Sequence, residues 1–441
     1  MMSIVDTFEL NSNPKIQFNF NGGDLSSDSG LFLMKEFLSF MGLNKILDGT
    51  FKTNDTASQR KHSDIENLLQ ALYQIFAGYF EDDRADDLRN DPVMTACLEK
   101  EELASQPTMS RFFNRMDAQT QDQFNDILCR LRKEVYSLTG IPNIVLFDLD
   151  TTLLDTYGKQ EGSSWNAHYQ ADGYHPQLCY DGITGDLIRA ELKDGSSYCS
   201  KDIASFMEPV FQEYVEGYRF VNLLLRGDSG FATPELYVQC EKYNTLYAIR
   251  LKANSVLYQK AADLEKELYE KTLEDVVSYA EVYGEFLYQA GTWDTPRRVV
   301  CKIVKPEGSM EHVFMFIVTN MPMSPEYVVG FYCGRGNMEN FIKECKDDFG
   351  FACVSSQKKE VNANRLQVHV LAYNLVNWMR RLVLPGKMRK WRMETIRRNL
   401  IKVASRVTRH GRKVLYRLCS SFPFQEEFVE IMGNIHKHRA A

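Results

Sequence analysis

The sequence feature that most limits the fold is a change of pattern at Ile144, where helical periodicity gives way to strands. The apolar run that begins there ends in Asp148-Leu149-Asp150-Thr151-Thr152, so a buried strand carries two carboxylates at its end. Further elements are predicted as strands over 177–180, 187–192, 221–226 and 245–251, and as helices over 202–218 and 234–243. This order of elements predicts a mixed α/β sheet.

The region before this sheet, residues 60–140, has its apolar residues at helical spacing. Ser63 and Glu66 form the Ser-x-x-Glu pattern of a capping box. A turn and a helix are predicted over 105–116, with an exposed side made of Ser110, Arg111, Asn114 and Arg115. That helix is a candidate for reading DNA, although an ordinary helix of a bundle has the same pattern.

Residues 255–324 interrupt the α/β pattern with alternating segments, which predicts a mostly β insertion. From Pro325 the pattern is helical almost to the end of the chain. The predicted organisation is a mostly helical N-terminal DNA-binding region over 1–140, a core over 141–254, the β insertion over 255–324, a core helix region over 325–385 and a basic helical tail over 386–441.

The charge of the chain is unevenly distributed. Residues 376–441 contain 16 Lys and Arg against 4 Asp and Glu, a net charge of +12, whereas the whole chain carries −7. The remaining residues therefore carry −19. A basic tail on an acidic body indicates an anionic partner for the tail, and a merely solvated helical face is the alternative.

Composition places the chain among globular proteins, because 44% of its 441 residues are hydrophobic and 25% are charged. Its ten cysteines contain no Cys-x-x-Cys pair, which is typical of reduced thiols. No apolar run reaches the roughly 18–20 residues that span a bilayer, and the N-terminus lacks the layout of a secretion signal. We expect no membrane partner and a cytoplasmic, nucleoid-associated protein of prokaryotic type.

Three acidic residues are candidates for a common site. Asp150 ends the first strand, Asp228 follows the strand over 221–226, and Glu339 lies in a predicted helix. The residues with which Glu339 shares a predicted helix face are Tyr332, Arg335 and Lys346. Carboxylates bind Mg²⁺, and Arg and Lys bind phosphate, so this face suits a phosphodiester, although ion pairs on a solvated helix have similar spacing.

The spacing Tyr-x2-Arg-x3-Glu-x6-Lys resembles the signature of DDE transposases of the insertion-sequence-4 group. The wider sequence resembles the 1380 family of insertion sequences over residues 20–385. The stretches that carry this resemblance are LASQPTMSRF, DLDTTLLDTYGKQEG, YHPQLCYDGITGDLI, LLLRGDSGF, YGEFLYQAGTWDTPRRVV, FYCGRGNMENFIKECK and NANRLQVHVLAYNL.

This resemblance implies a ribonuclease-H-like core with the β insertion before the helix of Glu339. It implies that Asp150, Asp228 and Glu339 are catalytic and hold two Mg²⁺ ions, with Mn²⁺ as a substitute. Asp148, two residues before Asp150 on the same strand face, is a further candidate ligand.

The resemblance also implies partners and a reaction. Tyr332, Arg335 and Lys346 would contact DNA phosphates. The partners would be double-stranded DNA, as the transposon's terminal inverted repeats and as target DNA, and a second copy of the chain. The enzyme would nick transposon ends and join the freed 3′-hydroxyl to target DNA.

Two other functions fit parts of the sequence. The opening at Ile144 is similar to the "hhhhDxDGT" motif of haloacid-dehalogenase-type phosphatases, in which the first Asp is the nucleophile; here Thr151 replaces the Gly. No second Asp follows Asp228 at the spacing those enzymes use. A transposase-derived DNA-binding protein without catalysis is the other alternative.

Weaker candidates lie outside the acidic positions. Trp293 is a candidate for stacking on a flipped base, and packing within the β insertion is the alternative. Arg397 and Arg398, in the basic tail, are candidates for phosphate contacts on the outside of a helix. His168 and His175 flank a loop that is expected near the site, where loop histidines usually have no ligand role.

Overall fold

The computed structural model describes residues 7–57, 59–218, 220–273, 277–309, 311–411 and 413–440. The chain divides into two compact units. The helical unit consists of Met1–Ile127, Asp347–Cys353 and Leu371–Ala441, and the sheet unit consists of Leu128–Lys346 and Val354–Val370. Neither unit is therefore one continuous stretch of chain.

Helices dominate the N-terminal part, as the periodicity predicts. Its elements are β1 (Phe8–Leu10), β2 (Asn13–Phe18), β3 (Leu25–Ser26), α1 (Leu31–Phe40), α2 (Leu43–Thr50), α3 (Asp64–Ala77), α4 (Arg84–Asp87), α5 (Pro92–Leu98), α6 (Gln106–Asn114) and α7 (Ala118–Thr139). The predicted capping box is confirmed at the start of α3. The backbone N–H of Glu66 donates to the Ser63 hydroxyl at 3.2 Å, and the backbone N–H of Ser63 donates to the Glu66 carboxylate at 2.7 Å.

The main sheet of the sheet unit begins at Ile144, where the sequence changes from helical to strand periodicity. Its first elements are β4 (Ile144–Thr151), β5 (Leu154–Asp155), β6 (Ser164–Asn166), β7 (Ala171–Tyr174), β8 (Gln177–Asp181), β9 (Leu187–Glu191), α8 (Ile203–Gly217), β10 (Asn222–Gly227), α9 (Pro234–Lys242) and β11 (Leu246–Leu251). Strands β4, β10 and β11 are parallel, and β8 runs antiparallel to β4. The predicted mixed α/β sheet is confirmed. The short strands β5, β7 and β6 form a separate sheet.

The predicted β insertion differs from the expectation in two ways. It opens with two helices, α10 (Ser255–Lys260) and α11 (Ala262–Lys271), before its strands β12 (Ala280–Tyr288), β13 (Arg297–Lys305) and β14 (Val313–Thr319). Those strands extend the main sheet, whose order is β12-β13-β14-β11-β10-β4-β8-β9. Strand β14 pairs antiparallel with β11, so the insertion shares the sheet that carries the acidic residues.

The C-terminal part is only partly helical. Its elements are α12 (Pro325–Cys333), α13 (Asn337–Phe349), α14 (Lys359–Leu382), α15 (Met393–Ile396), β15 (Ser405–His410), β16 (Lys413–Leu418) and α16 (Gln425–Ala440). The prediction of a helical tail is wrong for β15 and β16, which form an antiparallel hairpin. The cause is an alternation of period two: Val407 is buried between more exposed neighbours, which is a strand pattern.

Within the described residues, no helix combines the length and the apolar character that crossing a membrane requires.

Candidate active site

Two of the three predicted carboxylates meet at one edge of the sheet. Strands β4 and β10 are parallel neighbours in which Gly227 pairs with Leu149, so Asp228 and Asp150 each follow by one residue. The Asp150 carboxylate accepts a hydrogen bond from the backbone N–H of Thr151 at 2.9 Å. The Asp228 carboxylate accepts one from Gly230 at 2.8 Å and caps a single 3₁₀ turn. The carboxyl ends of adjacent parallel strands therefore bring these side chains together, as the sequence predicted.

Asp148 lies in a different environment from Asp150. Its side chain is 0% exposed, and both of its oxygens accept from Arg226, from Nε and Nη2 at 2.6 Å each. Asp148 and Arg226 are direct partners in the register of β4 and β10. The ion pair with Arg226 and the burial of the carboxylate favour a structural role for Asp148 over the predicted roles of metal ligand or phosphatase nucleophile.

The helix of Glu339 is interrupted. Helix α12 ends before a 3₁₀ turn over Gly334–Gly336, and Glu339 lies in the first turn of α13. Tyr332 and Glu339 therefore lie on two successive helices and not on one continuous α-helix. Tyr332 is only 7% exposed and packs in an apolar cluster with Ile317 and Val328 among others. Gly334 and Gly336, just before α13, are the sequence signal for this break, because glycine is unfavourable inside a helix.

Arg335, in that 3₁₀ turn, links the turn to the end of β4. Its Nη2 donates to the Asp150 carboxylate at 2.8 Å and to the backbone carbonyl of Leu149 at 3.2 Å. Burial raises the pKa of Asp150 to about 6, Arg335 acts to lower it, and the charges of Asp228 and Glu339 act to raise it further. The three carboxylates are thus near enough to influence one another, although Glu339 itself is exposed.

Lys346 lies two turns after Glu339 on α13. Its ammonium donates to the backbone carbonyl of Leu153 at 2.9 Å, just beyond the end of β4. Lys346 is half-buried, so its aliphatic part packs along the protein surface and its ammonium lies near the end of β4.

A cavity of about 700 Å³ opens beside Asp150 and Asp228. Sequence reasoning missed two of its lining residues, Trp165, which is 57% exposed, and Lys252. Lys252 closely follows β11, the third parallel strand, so its position after a strand end was the available signal. The side chains of His168, Tyr169 and His175 also line the cavity.

His175 and Tyr169 are held by backbone carbonyls on the cavity wall. The His175 Nδ1 lies 2.9 Å from the Ser197 carbonyl, and the Tyr169 hydroxyl donates to Thr151 at 3.2 Å. Burial lowers the pKa of His175 and raises the pKa of Tyr169 to about 12. These groups are neutral polar walls of the cavity.

Trp293 has the packing role that was the alternative to base stacking. It is 6% exposed, and its ring meets the rings of Tyr237 and Tyr288 edge-on at 5.3 Å each. Arg297 lies over the indole at 5.7 Å. A side chain enclosed in this way has no open face for a base, which favours packing over the predicted base stacking.

The two candidate arginines of the tail differ in their contacts, because Arg397 is bonded within the protein and Arg398 is exposed. Arg397 donates to three backbone carbonyls, those of Ile75 (3.2 Å), Phe76 (3.0 Å) and Asp348 (2.7 Å). Two of them, the carbonyls of Ile75 and Phe76, lie in the last turn of α3, where the helix dipole favours a cation. Arg397 therefore donates within the protein through Nε and Nη2, which disfavours the predicted phosphate contact, whereas Arg398 is exposed to solvent.

Comparisons with known proteins identify the family to which the chain belongs. A sequence model described as "Transposase DDE domain group 1" matches residues 8–440. None of the curated proteins matches the chain. One similar solved structure is the cryo-EM structure of the piggyBac transposase synaptic complex with hairpin DNA. It is 12% identical with a TM-score of 0.40, over 85% of this chain and 80% of that one.

The family match runs through both units and includes every predicted acidic residue. It gives no support to the phosphatase alternative, whose nucleophile would be the sealed Asp148. The chain therefore belongs to the DDE group 1 transposases, and the protein is a DNA transposase.

Proposed function

We propose that this transposase nicks the ends of its own insertion sequence and joins the freed 3′-hydroxyl to target DNA, with Asp150, Asp228 and Glu339 as catalytic carboxylates. The observation that carries the proposal is the meeting of Asp150 and Asp228 at the ends of adjacent parallel strands, within electrostatic reach of Glu339. The sequence stretches described above support membership of the 1380 family and a ribonuclease-H-like core.

The chemistry of these residues fits divalent Mg²⁺ or Mn²⁺, because both ions prefer carboxylate oxygens. Burial raises the pKa of Asp150 and repulsion from Asp228 and Glu339 adds to this, so a bound cation would favour the charged carboxylate. The described residues contain no group of three His, Cys, Asp or Glu already gathered around one metal position. When two such ions are bound, they supply activation of the attacking oxygen and charge relief on the leaving oxygen.

Arg335 and Lys346 have separate positioning tasks in this proposal. Arg335 holds the Asp150 carboxylate in orientation through its contact at 2.8 Å. Lys346 uses one ammonium proton on the Leu153 carbonyl, which leaves two donors for a DNA phosphate. It lies seven residues from Glu339, roughly 10 Å along the helix axis, so this phosphate is away from the scissile bond.

Double-stranded DNA is the proposed partner, as terminal inverted repeats and as target. The net charge of +12 over residues 376–441 supports this, because cations that neutralise phosphates supply sequence-independent affinity. We also propose a homodimer in the DNA complex. One chain carries one set of acidic residues, and a transposon has two ends to cut.

A nicking assay on DNA from the regions that flank the coding sequence tests this function. Those regions should contain matching inverted repeats, and the protein should nick them with Mg²⁺ or Mn²⁺ and not with EDTA. Glu339→Gln should bind the same DNA and fail to nick it, whereas Glu326→Gln, an exposed change on α12, should nick normally.

Three results would contradict parts of the proposal. Full nicking in EDTA rejects the metal requirement, and normal nicking by Glu339→Gln rejects the assigned site. Specific binding without nicking by the wild-type protein would favour the alternative of a DNA-binding protein that has lost catalysis.

A further inference from the structure

A second cavity lies wholly within the helical unit and has a volume of about 650 Å³. Its walls come from the loop before α3, from α3 itself and from α6, the helix predicted as a candidate DNA reader. Its cationic lining residues are Arg60, Lys61, Arg89, Arg111 and Arg115. No part of the proposed cleavage mechanism uses this cavity.

Asn67 of α3 lines this cavity and is 1% exposed. Among the described residues, neither its Oδ1 nor its Nδ2 has a hydrogen-bond partner. A buried polar group without a partner is destabilising, so a carboxamide left in this state requires an explanation. A ligand that offers one donor and one acceptor side by side would satisfy both atoms.

The charges around the cavity are mostly paired, with one exception on α6. Arg60 and Arg115 pair with Asp55, and Arg89 pairs with Glu102. Arg111 is exposed, and its Nη2 donates to a neutral group, the Thr108 hydroxyl at 3.3 Å. The guanidinium of Arg111 is therefore the cation best placed to accept an anion.

Two further features indicate that the cavity is preformed and positive. Gln70 and Ala104 exchange hydrogen bonds of 2.9 and 2.8 Å, which hold the segment before α6 against α3. His62, another lining residue, has its pKa lowered by burial and by nearby cations that include Lys100. A preformed positive cavity loses less entropy when it binds an anion.

We propose that this cavity binds one adenine nucleotide, with the Asn67 carboxamide on the base and Arg111 on the phosphate. An Asn carboxamide complements the N6 donor and N7 acceptor of adenine in a bidentate pair. Arg complements phosphate oxygens through its parallel N–H groups. The volume lies within the roughly 300–1,000 Å³ of small-molecule sites. The nucleotide is either free or part of a DNA strand, and only the second source rests on the proposed DNA function.

Calorimetric titration of the full chain with 2′-deoxyadenosine 5′-monophosphate tests the proposal. We expect saturable binding that weakens about tenfold for the guanine analogue and for deoxyadenosine, since each loses one of the two contacts. Asn67→Leu should weaken binding of the monophosphate about tenfold. Arg111→Gln should weaken the monophosphate and leave deoxyadenosine unchanged.

Matched variants control for folding and for net charge. Gln74→Leu removes another unpartnered amide nitrogen from α3, outside the lining of the cavity, and should bind normally. Lys45→Gln removes one exposed charge elsewhere in the helical unit and should also bind normally. Because Arg111 is exposed, its variant should fold even if a change at Asn67 does not.

Competition separates the two sources. A single-stranded oligothymidylate with one central adenine should displace the monophosphate more strongly than pure oligothymidylate if a DNA strand is the source. Equal and weak displacement by both identifies a free nucleotide. The proposal is overturned if the monophosphate does not bind, if Asn67→Leu and Arg111→Gln bind it normally, or if inorganic phosphate binds equally well.

Discussion

Two arginine–carboxylate pairs, two residues apart on β4, differ in how completely the protein satisfies them. Asp148 has both oxygens on Arg226 at 2.6 Å and no exposed surface. Asp150 has one contact of 2.8 Å with Arg335 and lies beside an open cavity. The same chemical groups thus form a closed structural pair at one position and an open pair at the next position on that face of the strand.

At this edge of the sheet, the number of hydrogen bonds that a charged group makes within the protein distinguishes a structural residue from a functional one better than its position in a motif does. A group whose hydrogen bonds are all made within the protein has nothing left for a substrate. Arg397 and Arg398 repeat the contrast in the tail, where the first has three carbonyl partners and the second is exposed.

The largest effect should follow from Asp150→Asn, which removes charge from the open pair. Nicking should fall about a thousandfold or more, because losing several kcal/mol of transition-state stabilisation costs tenfold per about 1.4 kcal/mol. The melting temperature should fall far less than for Asp148→Asn, because the amide can still accept the hydrogen bond from Arg335 beside an open cavity that water can enter. Nicking assays and thermal melts check both statements, and a large loss of stability would place Asp150 with the structural pairs.

The reverse result is expected for Asp148→Asn in the closed pair. Stability should fall by about 3–5 kcal/mol, because Arg226 remains buried without compensation. Nicking per folded molecule should exceed that of Asp150→Asn. Denaturant unfolding measures the loss, and the double change Asp148→Leu with Arg226→Met should recover much of it. If Asp148→Asn abolishes nicking while melting normally, Asp148 is the functional carboxylate and its assignment to a structural pair is wrong.

A smaller effect should separate the neighbouring arginines of the tail. Arg397→Ala should reduce stability by about 1–3 kcal/mol, because buried carbonyls lose their donor. Its matched control, Arg398→Ala, should melt normally and flatten the salt dependence of DNA binding by about one unit if it contacts a phosphate. Equal melting of both variants would show that the carbonyl contacts of Arg397 are dispensable.

The smallest effect is expected at α13, where Lys346 is only partly satisfied. Lys346→Ala should weaken binding to transposon-end DNA about tenfold, since a hydrogen bond to a charged group contributes about 1.5–3 kcal/mol. Nicking should recover in part at high protein concentration. Lys343→Ala, an exposed change on the same helix, is the control for gel shifts. Equal binding by both variants would assign Lys346 to packing.

Much of the sheet could be predicted from the sequence, because strand and helix periods are strong local signals. The predicted strand over 221–226 is Asn222–Gly227, and the predicted helix over 234–243 is Pro234–Lys242. The meeting of Asp150 and Asp228 was also predictable, since parallel neighbours bring their ends to one edge.

The remaining features depend on partners that are distant in sequence. Asp148 and Arg226 are 78 residues apart in the sequence. The only sequence signal for their pairing is the position of Arg226 at the end of an apolar strand, where a buried cation requires an acidic partner. Burial of Tyr332 depends on the neighbouring strands β13 and β14. The pair of strands β15 and β16 is not evident from the sequence, because the spacing of its basic residues also fits one face of a helix.

The C-terminal hairpin has a consequence for the order of folding. Strand β15 pairs with β3, and the backbone N–H groups of Ser29 and Gly30 donate to carbonyls of Val403 and Ile401 at 3.1 and 3.0 Å. On a ribosome, the segment that leads into α1 therefore waits for partners made hundreds of residues later. The helical unit starts first and finishes last, so a truncation meant to remove tail charge also leaves the beginning of the chain without its partner strand.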